Sequence, residues 1–136
     1  MTHIFLEHTG DVKFQASGKT FEEMLTSASK ALLESMKGDL NVEAKKEKYF
    51  GVNGKDKEEL LHNFLEEFLY LLEAENFLVS KVKEIKFDSS KTMLSVNVFG
   101  DDANEYEFTN QVKAITFNEM YVKNDNGWSC QVVLDV

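Results

Sequence analysis

The chain has 136 residues, 43% of them apolar, with eleven Phe and no Pro. That is enough for one domain over residues 1–136 with a real core, and too apolar for a disordered chain. Twenty-four acids against fifteen bases leave a formal net charge of −9, and every base is Lys, so the Arg-rich, clustered basic surface that direct nucleic-acid binding wants is missing.

No run reaches the length of a membrane span and the start does not resemble a signal peptide. The single cysteine, Cys130, has no partner for an internal disulfide. It alternates with Trp128 and Val132 and reads as a small core residue. The expectation is a cytoplasmic, reducing setting with no membrane contact.

Taken in order, Thr2–His8 and Val12–Ser17 read as a first hairpin, with Ile4 and Leu6, then Val12, Phe14 and Ala16, on alternating positions. Gly10 supplies the backbone freedom for the tight connection, from which Asp11 projects. Thr20 with Glu23 three residues on is a capping-box signature. It opens a helix striped by Phe21, Met24, Leu25, Ala28, Ala31, Leu32 and Met36 and closed by Gly38. Asn41–Asn53 reads as a strand whose wet middle, Lys45–Lys48, predicts a place near a sheet edge.

Asp56 and Glu59 repeat the cap for a second helix, carrying Leu60, Leu61, Phe64, Leu65, Phe68, Leu69, Leu71 and Leu72. Its broad apolar band predicts the more deeply buried helix of the two. His62 and Glu66 on its polar side are too few to hold a metal, and a solvated face is expected there. Phe77–Phe87 and Thr92–Phe99 read as strands about a turn at Asp88–Lys91. Gly100–Asn104 reads as a polar, mobile loop, its Asp101 and Asp102 solvated rather than metal-binding. Val112–Lys123 and Trp128–Val136 flank the strong turn Asn124-Asp125-Asn126-Gly127. Strands, helix, strand, helix and four strands make an α+β fold: mainly antiparallel sheet with two packed helices, barrel closure being left open.

The two ends of the chain hold the candidate chemistry. Asp11, Asp135 and the final carboxylate at Val136 would bring oxygen donors together if the last strand lies beside the first hairpin. Such donors suit hard cations such as Ca²⁺ or Mg²⁺. On pattern alone, an Asp in a turn is there for local hydrogen bonding.

Four motifs in order carry a resemblance over essentially the whole chain. Glu7-His8-Thr9-Gly10-Asp11-Val12 resembles the E-H-T-A-D-I signature of the archease family. Leu60–Leu72 resembles the family's leucine-rich second helix, Val112-Lys113-Ala114-Ile115-Thr116-Phe117 its V-K-A-V-T-Y strand, and Leu134-Asp135-Val136 its F-D-V ending. Gly10 stands where the family usually has Ala, Asn110 where a glycine is often found, and Asn118 where many members have His.

The resemblance implies an accessory protein of the GTP-dependent tRNA-splicing RNA ligase, not itself an enzyme. It would speed guanylylation of the ligase, support multiple turnover and broaden nucleotide use. It also implies a divalent-metal site at Asp11, Asp135 and Val136, with Ca²⁺ favoured over Mg²⁺ or Mn²⁺. Lys113 is implied to matter for activation, and His8 to orient the turn or the metal site. Two other classes stand beside it. A small metal-dependent hydrolase would need a nucleophile with its base, and His3, His8 and His62 belong to separate elements. A chaperone-like binder would have no need of Asp11.

Overall fold

The alternating residues at the start form β1 (Thr2–Leu6) and β2 (Asp11–Gly18), antiparallel, with Phe5 opposite Phe14. A computed structural model describes every residue from Met1 to Val136. The Thr20 hydroxyl accepts from the Glu23 amide at 3.1 Å and opens α1 (Phe21–Lys37), which ends at Gly38 with φ 62°. After β3 (Lys46–Asn53), the Asp56 carboxylate accepts from the Glu59 amide at 2.8 Å and starts α2 (Lys57–Glu75). The chain continues through β4 (Phe77–Asp88), β5 (Met93–Asp102), a 3₁₀ turn at Ala103–Glu105, β6 (Ala114–Asn124) and β7 (Trp128–Asp135).

The strands make two antiparallel sheets, ordered β1-β2-β7-β6 and β3-β5-β4, with no closed barrel. β7 is inserted between β2 and β6, so the last strand does lie beside the first hairpin. Both helices pack against strands of both sheets. One core of 28 buried residues joins these layers, with Phe14, Phe64, Phe68 and Phe77 fully enclosed. Each such ring contributes about 1.5–3 kcal/mol by leaving water. Cys130 lies in this core, and burial pushes its thiol up to about 12.

Four expectations change. The third strand begins at Lys46 rather than Asn41; residues 41–45 are irregular, and Val42 instead packs with Leu78 and Ala103 in a small second core. β3 is a sheet edge, as its lysines suggest. The deeper helix is α1, with ten of 17 residues buried against seven of 19 in α2. Its small Ser27, Ala28, Ser29 and Ala31 let the backbone approach the sheet. In α2 the wide band spills outward, leaving Leu72 half-buried and Tyr70 exposed.

The polar stretch after residue 99 is not a mobile loop. β5 runs on through Asp102, and a Cβ at Gly100 would collide with the Leu78 carbonyl and come within 2.7 Å of the Phe77 ring. Asp101 is buried and accepts from the Tyr106 hydroxyl at 2.8 Å, while Asp102 pairs with Lys46 at 2.9 Å. Finally, His62 is not on a solvated face. Its ring stacks on Phe117 at 4.1 Å and 10°, and its Nε2 lies 2.9 Å from the Ile115 carbonyl.

Candidate functional site

The connection between β1 and β2 is Glu7–Gly10, and Gly10 takes φ 77°, a left-handed value that a side chain would oppose. That turn delivers Asp11 as the first residue of β2, directly opposite Asp135 on β7. Ala114 of β6 faces Asp135 from the other side, and the Lys113 amide donates to the Asp135 carbonyl at 2.7 Å. The predicted residues Asp11, Asp135, Val136 and Lys113 are thereby gathered where β2, β7 and β6 meet. Directly opposed residues of an antiparallel pair share a face with Cα atoms about 5 Å apart. Asp11 and Asp135 are therefore two carboxylates on one face of the sheet, the one turned from the core.

Like charges directly opposed destabilise a sheet, and here no lysine relieves them. Asp135 enters no ion pair, and Asp11 meets only His8, whose Nδ1 lies 3.5 Å from Asp11 Oδ2. That contact is not a hydrogen bond: His8 Nδ1 is buried and without a partner. The other ring nitrogen, Nε2, lies 2.8 Å from Glu119 Oε2. With Nε2–H donating to the Glu119 carboxylate, Nδ1 is the ring nitrogen turned towards Asp11. The Lys113 ammonium also has no acid partner, and its side chain is exposed.

Glu119 is the residue that pattern reading missed. β6 leaves its register with β7 between Thr116 and Tyr121, and Glu119 sits in that irregular stretch at φ 56°. The Gln131 side chain donates to the Glu119 carbonyl at 2.9 Å and accepts from Gln15 at 3.0 Å. Gln131 and Val133 are buried although they point away from the core, and the bulge lies over Gln131. The Glu119 carboxylate reaches across to β2, taking Lys13 Nζ at 3.1 Å on one oxygen and His8 on the other. The His8 hydrogen bond first, then Lys13, holds its carboxyl below the usual range. The available signal was a break in alternation: a charged residue in mid-strand between Phe117 and Tyr121.

Two carboxylates and main-chain oxygen form a hard donor set of the type that suits Ca²⁺, Mg²⁺ or Mn²⁺. No three His, Cys, Asp or Glu side chains converge anywhere in the molecule at metal-binding spacing, so the protein side chains would supply two ligands and leave several positions open. The three histidines stay apart, on carboxylates of different elements: His3 with Glu34, His8 with Glu119, and His62 with Glu66.

Comparison with known proteins places this geometry in context. Residues 3–136 match the family described as the archease protein family (MTH1598/TM1083). The chain is 31% identical to the protein archease of Methanosarcina barkeri over 137 residues, covering 97% of this chain and 94% of that one. It is 33% identical to that of Pyrococcus furiosus, covering 96% and 95%, and 34% identical to that of Pyrobaculum neutrophilum, covering 96% and 92%. The solution structure of Methanobacterium thermoautotrophicum protein 1598 superposes with a TM-score of 0.81 at 27% identity, over 98% of both chains. On the full-length family match, the shared fold and these relatives, the chain belongs to the archease family.

Proposed function

We propose that this chain is an accessory protein of tRNA splicing that activates the GTP-dependent RNA ligase, promoting its guanylylation and repeated turnover through a divalent-cation site at Asp11 and Asp135. Family membership supports the accessory role in RNA processing. The observation that carries the site is the opposed pair Asp11–Asp135, which no cationic side chain neutralises. The donor set fits: both side chains are carboxylates, a main-chain oxygen of Val136 follows next in the chain, and the orphaned His8 Nδ1 lies beside Asp11. Held there, a divalent cation, Ca²⁺ or alternatively Mg²⁺ or Mn²⁺, supplies positive charge and open positions for phosphate or carboxylate oxygens.

The chain's own residues then act by position. Asp11 and Asp135 present oxygen from the exposed end of a rigid sheet, where the surface of a partner protein can reach it. His8, tied to Glu119, orients Asp11. Lys113, exposed and unpaired, meets a nucleotide phosphate as a point charge. The acidic surface suits a basic protein partner rather than nucleic acid itself.

The test is single-turnover guanylylation of the cognate ligase with Mn²⁺ and GTP, with and without this protein. Acceleration by the native chain that disappears in the double variant Asp11→Ala, Asp135→Ala is the expected result. A double variant that still stimulates fully would sink the proposal.

A further inference from the structure

We infer that Glu119 is a positioning residue that keeps Lys13 off the Asp11–Asp135 pair and so leaves both carboxylates free for a divalent cation. The inference rests on the cation site proposed above and concerns what keeps that site open. Lys13 follows Asp11 by two residues, so its side chain leaves the same face of β2. Opposite it stands Val133, with Asp135 the diagonal neighbour. Diagonal pairs lie about 7–8 Å apart, within reach of a lysine. Left alone, the Lys13 ammonium would settle on two carboxylates that have no other counter-charge.

Glu119 prevents this by geometry. The bulge in β6 lifts its backbone over β7, Gln131 anchors its carbonyl, and its carboxylate meets Lys13 at 3.1 Å, the one ion pair that Lys13 makes. The second oxygen holds His8 Nε2 at 2.8 Å, which sets the ring with Nδ1 beside Asp11. One carboxylate thus engages His8 and Lys13 together, and of the basic residues around the pair only Lys113 keeps a free ammonium. Ligand-orienting partners of this sort are worth about 10–100-fold in metal affinity.

Calorimetric titration of Ca²⁺ into the full chain tests this, using Glu119→Ala, Lys13→Met, the double variant and Asp11→Asn. Circular dichroism and thermal midpoints first establish that each is folded. Glu119→Ala is expected to bind about tenfold more weakly or worse. The double variant should return to within about twofold of the native chain, the scatter of independent changes. Lys13→Met alone should bind as tightly or more tightly.

Unchanged affinity in Glu119→Ala overturns the inference. So does a loss that Lys13→Met does not relieve, which would make Glu119 a prop for the bulge and nothing more. Should Glu119→Ala not fold, Glu119→Gln keeps the shape without the charge, and its weaker binding must be relieved by Lys13→Met in the same way. A native chain that binds no Ca²⁺, Mg²⁺ or Mn²⁺ removes the cation site and the inference together. Native binding that Asp11→Asn abolishes and Glu119→Ala spares removes the inference alone.

Discussion

Two places in this molecule bring Asp residues together, and they differ in what answers the charge. At the end of β5, Asp101 is buried, accepts from the Tyr106 hydroxyl and the Asp102 amide, and has Lys45 and Lys46 nearby. Asp102 pairs with Lys46. That pair of acids is satisfied from within and fastens the 3₁₀ turn to residues 41–45, because the Glu43 amide donates to the same Tyr106 hydroxyl at 3.0 Å. At the junction of β2 and β7, Asp11 and Asp135 oppose each other, and Lys13, two residues along β2 on the same face, is engaged by Glu119. The same side chain is therefore a fastener in one place and a carboxylate without a lysine partner in the other. Supply of donors separates them, not residue type.

The largest effect that should divide the two regions is on ligase stimulation. Asp11→Ala and Asp135→Ala are each expected to cut stimulated guanylylation about 10–100-fold, the scale of losing a metal ligand or its orientation. Asp102→Ala should leave it unchanged in the same single-turnover assay. Equal losses at all three would mean that the acidic surface as a whole matters, not one site.

Stability contrasts the two glycines of these regions. Gly100→Ala drives a Cβ into the Leu78 carbonyl and the Phe77 ring, both inside the fold; overpacking of that type costs about 1–3 kcal/mol and more where backbone must move. Gly10→Ala meets no atom within 4 Å, and only its φ of 77° opposes it, a cost of about 1–2 kcal/mol. Urea midpoints at fixed m-value measure both.

The two acids should then differ in sign. Asp101→Ala strands the Tyr106 hydroxyl and is expected to lose about 1–3 kcal/mol. Asp11→Asn, in chelator, removes a like-charge opposition and should be neutral or stabilising by about 0.2–1 kcal/mol. Adding Ca²⁺ should raise the midpoint of the native chain and of Asp102→Ala but not that of Asp11→Asn. A destabilising Asp11→Asn without metal would show that the pair is not strained as its opposition implies.

The smallest effect is on pH. The Tyr106 hydrogen bond, with help from the Asp102 amide and Lys45 and Lys46, holds the Asp101 carboxyl below its ordinary range. A depressed folded value adds stability at pH above the unfolded carboxyl value of about 3.9. That contribution is lost as pH falls through the lower, folded value. Exchange of the Glu43 amide proton is the local readout. Its protection should persist from neutrality to about pH 4 and fall below it, and in Tyr106→Phe protection should already be low at neutral pH.

Much of this was legible in the residues. Caps at Thr20 and Asp56, the Asn124–Gly127 turn and the period-2 strands place both helices and the seven strands, though not the start of β3, the end of β5 or the 3₁₀ turn, because those signals are local and act through the chain's own backbone. The lysines of residues 45–48 mark an edge strand for a similarly local reason. The depth of α1 was not legible: small side chains look weakly hydrophobic in sequence, yet they permit the closest approach to a sheet. Nor was the burial of Asp101, which depends on a tyrosine five residues on folding back over it.

The sequence by itself determined the elements, the antiparallel α+β class and the two motifs that carry Asp11 and Asp135. Only the tertiary structure decided that these motifs meet, because insertion of β7 between β2 and β6 is a pairing across more than a hundred residues. It also decided Glu119's part, since a carboxylate held by His8 and Lys13 comes from a register break in β6. Local propensity reads one strand at a time, whereas a charge becomes available or engaged only when separate strands are laid side by side.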